Sequence, residues 1–242
     1  MAKRTGKASA ELIRSIPLFK SISDQSCSDL AAASTLRQFT ARARLFNEGA
    51  SADKLYIMVR GSAELFSEQD ERYCTLAVVP AVRPLALYTI LSERSPLSAR
   101  VLEPSELVVV PVKLVVNLFA RDRAFAEAVM RELASECHEI VEDFKSHRLR
   151  STIERIARWM LRGDHKSGST GRILIPFDKR VLASYLGMAP EHLSRSFSAL
   201  ASAGVEVHGR GVTLKDRDAL AQAAGLDVPE RFMQPSAPKE KS

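Results

Sequence analysis

From about residue 115 to residue 149 the chain contains neither glycine nor proline, so no backbone breaker of either kind interrupts a helix there. Within this stretch Met130, Leu133, Cys137, Ile140, Phe144 and His147 recur at spacings of 3, 4, 3, 4 and 3. That rhythm is a heptad seam. A helix lying on the core of its own domain explains many apolar stripes, but such a helix usually has a wider apolar face. The length and strict rhythm therefore predict a parallel homodimer held by this helix.

The flanks differ in texture. Residues 9–34 read as short helices broken at Pro17 and around Ser21 to Ser23, with Ser23 as N-cap of a helix that begins at Asp24. From 35 to 113 short β-type runs follow: Arg44-Leu-Phe46, Lys54-Leu-Tyr-Ile-Met-Val59, Ala63-Glu-Leu-Phe66, Cys74-Thr-Leu-Ala-Val-Val79 and Glu106-Leu-Val-Val-Val110. Turn-formers at Asn47-Glu-Gly49, Gly61 and Pro104 separate them, which predicts a small antiparallel barrel or roll. Beyond His147 come a helix (Ser151 to Arg162), a polar loop (Gly163 to Gly171), a strand-like Arg172-Ile-Leu-Ile-Pro176, and two helical stretches parted by Gly187. Two β-type runs around Gly209-Arg-Gly211 come next, and from Gly225 a proline-containing tail of alternating charge reads as disordered.

Composition narrows the class. Among 242 residues, 45% apolar and 26% charged exclude a disordered or collagen-like chain. Cys27, Cys74 and Cys137 lie far apart without a CxxC pair, so neither a disulfide framework nor a zinc ribbon is available. No apolar run follows the basic Met1–Lys7, so it does not read as a secretory signal. Lys113 and Asn117 interrupt the best membrane candidate, Leu107 to Ala120. The expectation is a soluble, cytoplasmic protein with no membrane partner. Between Arg148 and Asp218 lie 13 Lys/Arg and 7 Asp/Glu, an excess equal to the whole formal charge of +6. A polyanion partner for that third explains the imbalance, and so does an ordinary solvated surface.

The segment from Asp178 to Tyr185, then Leu186-Gly-Met-Ala-Pro190, then Glu191 to Ala203 decides between them. It has the form of a helix-turn-helix, with Gly187 in the turn and Pro190 in the first turn of the second helix. Leu193, Phe197 and Leu200 form one face, suited to burial against Val181, Leu182 and Leu186. Glu191, Ser194, Arg195 and Ser198 form another, able to reach base edges in a major groove. Arg195 can fork onto guanine, Glu191 can accept from cytosine, and Ser194 can meet a base edge or a thymine methyl. Alone, Glu191 and Arg195 would read as a surface ion pair. The turn, the buried face and the following hairpin favour double-stranded DNA. His192, Lys179, Arg180 and Arg210 join the expected DNA-binding set, His192 as a helix-surface residue near a phosphate. The expected organisation is α+β: an antiparallel β-roll with N-terminal helices (1–114), a dimerisation helix (115–149), a winged helix-turn-helix (150–223) and a tail (224–242).

Over roughly residues 12–222 the sequence resembles the Crp/Fnr superfamily of bacterial transcription regulators. The resemblance rests on Pro17-Leu-Phe19, Leu45-Phe46-Asn-Glu-Gly49, Ala52-Asp53-Lys-Leu-Tyr56-Ile and Gly61-Ser-Ala-Glu-Leu65, then on Leu182-Ala-Ser-Tyr-Leu-Gly187 and Glu191-His-Leu-Ser-Arg195. It implies a cyclic-nucleotide-binding-like sensor, a dimerisation helix and a DNA-binding domain with a β-hairpin wing. RNA polymerase is an implied partner if the chain activates. The spacing Glu191-x-x-Ser194-Arg195 looks like that of the Fnr branch, which implies inverted repeats of TTGAT type.

The resemblance also says what the sensor lacks. Cyclic-nucleotide binders of the family carry Gly-Glu and, about ten residues later, Arg-Ser or Arg-Thr. Here Ala86 and Leu87 stand at the first pair and Leu97 precedes Ser98 at the second. A buried phosphate without a cation is costly, so cyclic AMP is not expected. The stretch leaves Leu85, Leu87, Leu97, Ser98 and Arg100 as an effector-pocket set, with Arg94 and Arg100 out of place as substitutes. An iron–sulfur cluster of Fnr type needs clustered N-terminal cysteines, and Cys27 is the only cysteine before Cys74. What remains resembles the nitrogen-oxide-responsive members, which implies nitric oxide sensing through haem. Axial-ligand candidates are His138, His147, Cys74, Cys137 and Met58; each also has an ordinary structural reading. Cys137 on the seam reads alternatively as a redox switch. A regulatory module acting on a protein partner is the competing function, although it leaves Glu191, Ser194 and Arg195 without a task. No nucleophile–base constellation, metal-spaced cluster or phosphate-cradling loop supports an enzyme.

Overall fold

The computed structural model describes residues 2–70, 72–175 and 178–226. The expected tail lies, from 227 onward, outside them. By contact the chain divides into one unit of Met1–Phe144 with Pro176–Tyr185 and a second of Lys145–Ile175 with Leu186–Ser242.

The first unit opens with β1 (Ala2–Lys7), α1 (Ala10–Ser15), a 3-10 turn (Pro17–Phe19) and α2 (Asp24–Ala33), whose first turn Ser23 caps as expected. Strands β2 (Thr35–Phe39), β3 (Arg44–Phe46), β4 (Lys54–Arg60), β5 (Ala63–Gln69), β6 (Arg72–Val79), β7 (Pro84–Leu85), β8 (Ser98–Val101) and β9 (Ser105–Pro111) follow, with a 3-10 turn at Leu87–Leu91. They pair antiparallel in two sheets, ordered β1-β2-β9-β4-β7 and β3-β8-β5-β6. This is the antiparallel roll.

Strand period explains how it is filled. Successive side chains point to opposite faces, so on β4 and β9 the residues Leu55, Ile57, Val108 and Val110 join a core with Ile13, Phe19, Leu30 and Phe125 from the helices. Met58 and Leu107 join a second core with Ala63, Leu65, Ala99 and Val101. The same alternation sends Glu64 to the opposite face of β5, fully buried. There Arg100 Nε lies 2.8 Å from its carboxylate, and the hydroxyls of Tyr73 and Thr75 donate to it. The arginine also stacks over Phe66 and Tyr73, so the buried charge is paired on every side described.

The continuous helix expected over 115–149 is two helices, α3 (Val112–Arg121) and α4 (Arg123–Leu149). Asp122 breaks it by a route that glycine and proline do not exhaust, a carboxylate bonding to local backbone. Its Oδ1 accepts from Phe125 N at 3.1 Å, and Oδ2 accepts from the amide and hydroxyl of Ser23, each at 3.0 Å.

In the second unit α5 (Thr152–Lys166) starts with a capping box of Ser151 and Glu154 and runs one turn past the expected Arg162. Strand β10 (Arg172–Leu174) comes next in sequence. The following helix, α6 (Lys179–Tyr185), groups with the first unit, a partition not anticipated for residues 150–223. There α6 lies against the edge strand β6: Thr75 N–H donates to Ser184 Oγ at 2.8 Å and Tyr185 O–H to Asp143 Oδ2 at 2.7 Å. A covered edge cannot recruit a foreign strand. The second unit continues with α7 (Pro190–Ala199), a 3-10 turn (Leu200–Ala203), β11 (Val205–His208), β12 (Gly211–Leu214) and α8 (Arg217–Ala223), its sheet ordered β10-β12-β11. Helix α8 was not expected. Asp164 ties this unit together, pairing with Arg217 at 2.6 Å and accepting from Gly171 N at 2.7 Å.

The Asp122 cap yields a prediction. Burial alone would raise its pKa, but bonds from Ser26, Ser23 and Phe125 hold it down at about 2. Folding lowers this pKa, so the stabilisation is present above the unfolded value of 3.8 and fades as pH falls toward 2. Asp122→Ala lowers stability by roughly 1–3 kcal/mol at neutral pH. In urea unfolding, the gap between variant and parent closes as pH drops below 4.

Candidate nucleic-acid interface

Helix α7 divides as its sequence requires. Leu193, Phe197 and, just beyond it, Leu200 are buried, whereas Glu191, His192, Ser194, Arg195 and Ser198 are exposed. Pro190 sits in the first turn, and Ala189 at the N-cap offers no side-chain acceptor. The leading amides are thereby left to external partners such as phosphate. Ser194 Oγ donates to Pro190 O at 3.2 Å and Ser198 Oγ to Ser194 O at 3.3 Å, which keeps both side chains against the helix. Among the described residues no ion pair joins Glu191 to Arg195. Their carboxylate and guanidinium are therefore both open to a partner, and the surface ion-pair reading does not hold in this structure.

Other expected contacts are more scattered. Gly187 adopts φ +65°, as the turn demands, and a β-carbon there would fall 2.8 Å from His147 Nδ1. His147, read as the last seam residue, thus lies against the turn. Arg155 Nε donates to Leu186 O at 3.0 Å and steadies the same turn. In the wing, β11 and β12 pair as expected, and Arg210 Nε donates to Ile175 O at 2.8 Å. Lys179 and Arg180 are exposed on α6.

On α4 the seam residues Met130, Ile140 and Phe144 are each more than 60% exposed, and Val141 adds to them. Cys137 is exposed, while Leu133 packs on the core of its own unit.

The effector-pocket set does not converge. Leu85 belongs to the core between the sheets, Leu97 packs half-buried against it, and Leu87 belongs to the helix-side core. Ser98 accepts from Glu48 N at 2.9 Å, and Arg100, on the same face of β8, is bonded to Glu64. The haem-ligand candidates are equally dispersed: Met58 is fully buried in the inner core, and Cys74, Cys137, His138 and His147 are exposed on β6 and α4. These residues do not fit a haem pocket within one chain. Among the described residues no group of three or more His, Cys, Asp or Glu is placed to hold a metal ion, and no helix is long and apolar enough to cross a membrane. The Glu64 network was missed in the sequence, where a lone glutamate within Ala63-Glu-Leu-Phe66 was its only trace.

Comparisons agree with this geometry. Residues 36–122 match the family model of the cyclic nucleotide-binding domain, and residues 154–223 match that of the Crp-like helix-turn-helix domain. Among solved structures, the chain is similar to FixK2 from Bradyrhizobium japonicum, with 19% identity and a TM-score of 0.73, covering 79% of this chain and 97% of that one. It is also similar to a Eubacterium rectale chain assigned to the crp/fnr family of transcriptional regulators, at 15% identity and TM-score 0.67, covering 86% and 98%. A CooA variant from Carboxydothermus hydrogenoformans shows 14% identity and TM-score 0.67, covering 78% and 87%. At such identities these likenesses establish the fold. No curated protein matches the chain.

Gly187→Ala tests the turn. The left-handed backbone and the His147 ring both oppose a β-carbon, so the variant loses about 1 kcal/mol or more of stability. Thermal unfolding shows the loss, and His147→Ala in the same chain recovers the part due to the ring.

Proposed function

We propose that this chain, a member of the Crp/Fnr family of transcription regulators by its cyclic nucleotide-binding domain and its Crp-like helix-turn-helix domain, reads inverted-repeat DNA of TTGAT type as a homodimer, without cyclic nucleotide. As a regulator of this family it is not an enzyme. The observation that carries the reading is the pair of open heads on α7, Glu191 and Arg195, one turn apart on its exposed face.

A guanidinium free at this place matches guanine O6 and N7, and a free carboxylate matches the cytosine amino group. Lys179, Arg180, Arg210 and His192 are assigned to phosphates, which position the protein without reading sequence. Homodimerisation is supported by the exposed seam of α4, since burying each large apolar side chain is worth about 1.5–3 kcal/mol. Independence from cyclic nucleotide is supported by Leu85 and Leu87, which fill apolar cores, by Leu97, which packs against one, and by Arg100, which is already bonded to Glu64. A haem-based response to nitric oxide finds no convergent ligand set among the described residues, so no step is assigned to haem.

Arg195→Ala lowers discrimination at the G·C pair of each half-site by about 1–3 kcal/mol. A binding-selection assay reads this directly, and an unchanged consensus removes the assignment. Phe144→Asp places a charge on the seam and shifts the protein toward monomer in sedimentation, with specific DNA binding lost in parallel. A variant that stays dimeric excludes α4 as the interface.

A further inference from the structure

Two helix ends meet a single side chain at the start of α5. Helix α4, whose last turn from Lys145 onward belongs to the second unit, ends at Leu149, and Arg150 N still donates to Ser146 O at 3.2 Å. Helix α6 ends at Tyr185, and Leu186, the first residue beyond it, is buried. The last carbonyls of a helix have no partner within it and carry the negative end of its dipole. Arg155 serves both ends: its Nε donates to Leu186 O and its Nη1 to Arg150 O, each at 3.0 Å. The capping box of Ser151 and Glu154 sets the first turn of α5, and Arg155 N donates to Ser151 O at 3.0 Å, so the guanidinium starts from a fixed place. The same turn meets the end of α4 a second time, where Gly187 leaves room for the His147 ring. Only Gly187, Met188 and Ala189 separate Leu186 from Pro190 at the start of α7.

We propose that Arg155 is a positioning residue for DNA reading: it locks the helix-turn-helix turn to the end of α4 and so sets which spacing of half-sites two α7 helices can read together. The inference rests on the proposed reading by a homodimer paired along α4, and deepens it by naming the joint that carries the pairing to α7. A guanidinium suits the task because its planar fork aims donors in fixed directions, whereas a lysine ammonium is a point charge on a flexible stem. Nε and Nη1 are spent on the chain's own carbonyls, so Arg155 acts through the turn and not by touching a base.

The test measures binding of the full-length protein to duplexes in which the two inverted half-sites stand at the preferred spacing or one base pair nearer or farther. Each added base pair turns one half-site against the other, so the parent loses about ten-fold or more in affinity away from its preferred spacing. Arg155→Lys and Arg155→Gln bind the preferred spacing about ten-fold more weakly than the parent, and all three spacings within about three-fold of one another. The salt dependence of binding stays that of the parent, because no phosphate contact is lost. Hydrogen exchange, read without DNA, shows faster exchange at Leu186–Ala189 in both variants and parent-like protection of β12, which confirms that they fold. If Arg155→Gln does not fold, Arg155→Lys decides. A parent-like spacing preference in Arg155→Lys overturns the assignment, and so does an equal loss at every spacing. A parent that binds every spacing alike removes the dimeric reading itself, and the role of Arg155 with it.

Discussion

A helix of 27 residues that leaves Met130, Ile140, Val141 and Phe144 facing water sets the terms for the rest of the molecule. Large apolar side chains left exposed in this way are unfavourable in water. In the proposed reading, a second copy of α4 covers these side chains. The roll and the reading helix take their places in the proposed mechanism from that pairing. Under that proposal one α7 becomes two, related by a two-fold axis, and a two-fold reader fits an inverted repeat.

Two cores make α4 a firm base for such a pairing. Strands β4 and β9 feed alternate residues to the helix-side core and to the core between sheets, so the roll and the start of α4 share one wall. Phe125 and Val129 anchor the first turns of α4 in that wall, and Asp122 fixes where the helix begins. The charged face of α4 then meets segment 82–91 through Arg83. Packing fixes the helix at its base, and the Arg83 ion pairs add a polar contact further along.

Much of this was legible because local rules and global fold agree. The alternating β-type runs, the Ser23 cap, the helix-turn-helix with Pro190 and Gly187, and the two strands of the wing all stand where side-chain period and turn chemistry predicted. What escaped depends on long-range partners. Asp122 ends a helix because Ser23, distant in sequence, donates to it. The Arg83 ion pairs join residues about fifty positions apart, and α6 lies against β6 through Ser184 and Thr75. Leu133 fitted the heptad rhythm but serves the core of its own unit, since a 3-4 rhythm does not say which surface a helix meets. Among site residues, the exposure of Glu191, Ser194, Arg195 and Ser198 followed from helix period alone. The scatter of the effector set did not, because Leu97, just before β8, packs against the core between the sheets while Arg100 on β8 is bonded to Glu64.

The most direct measurement is a hydroxyl-radical footprint of the full-length protein on a DNA fragment chosen by selection from random sequence. Two copies joined along α4 protect two inverted half-sites whose centres lie about one helical turn, roughly 10 base pairs, apart. A single protected half-site, or two arranged as a direct repeat, would contradict pairing through that helix.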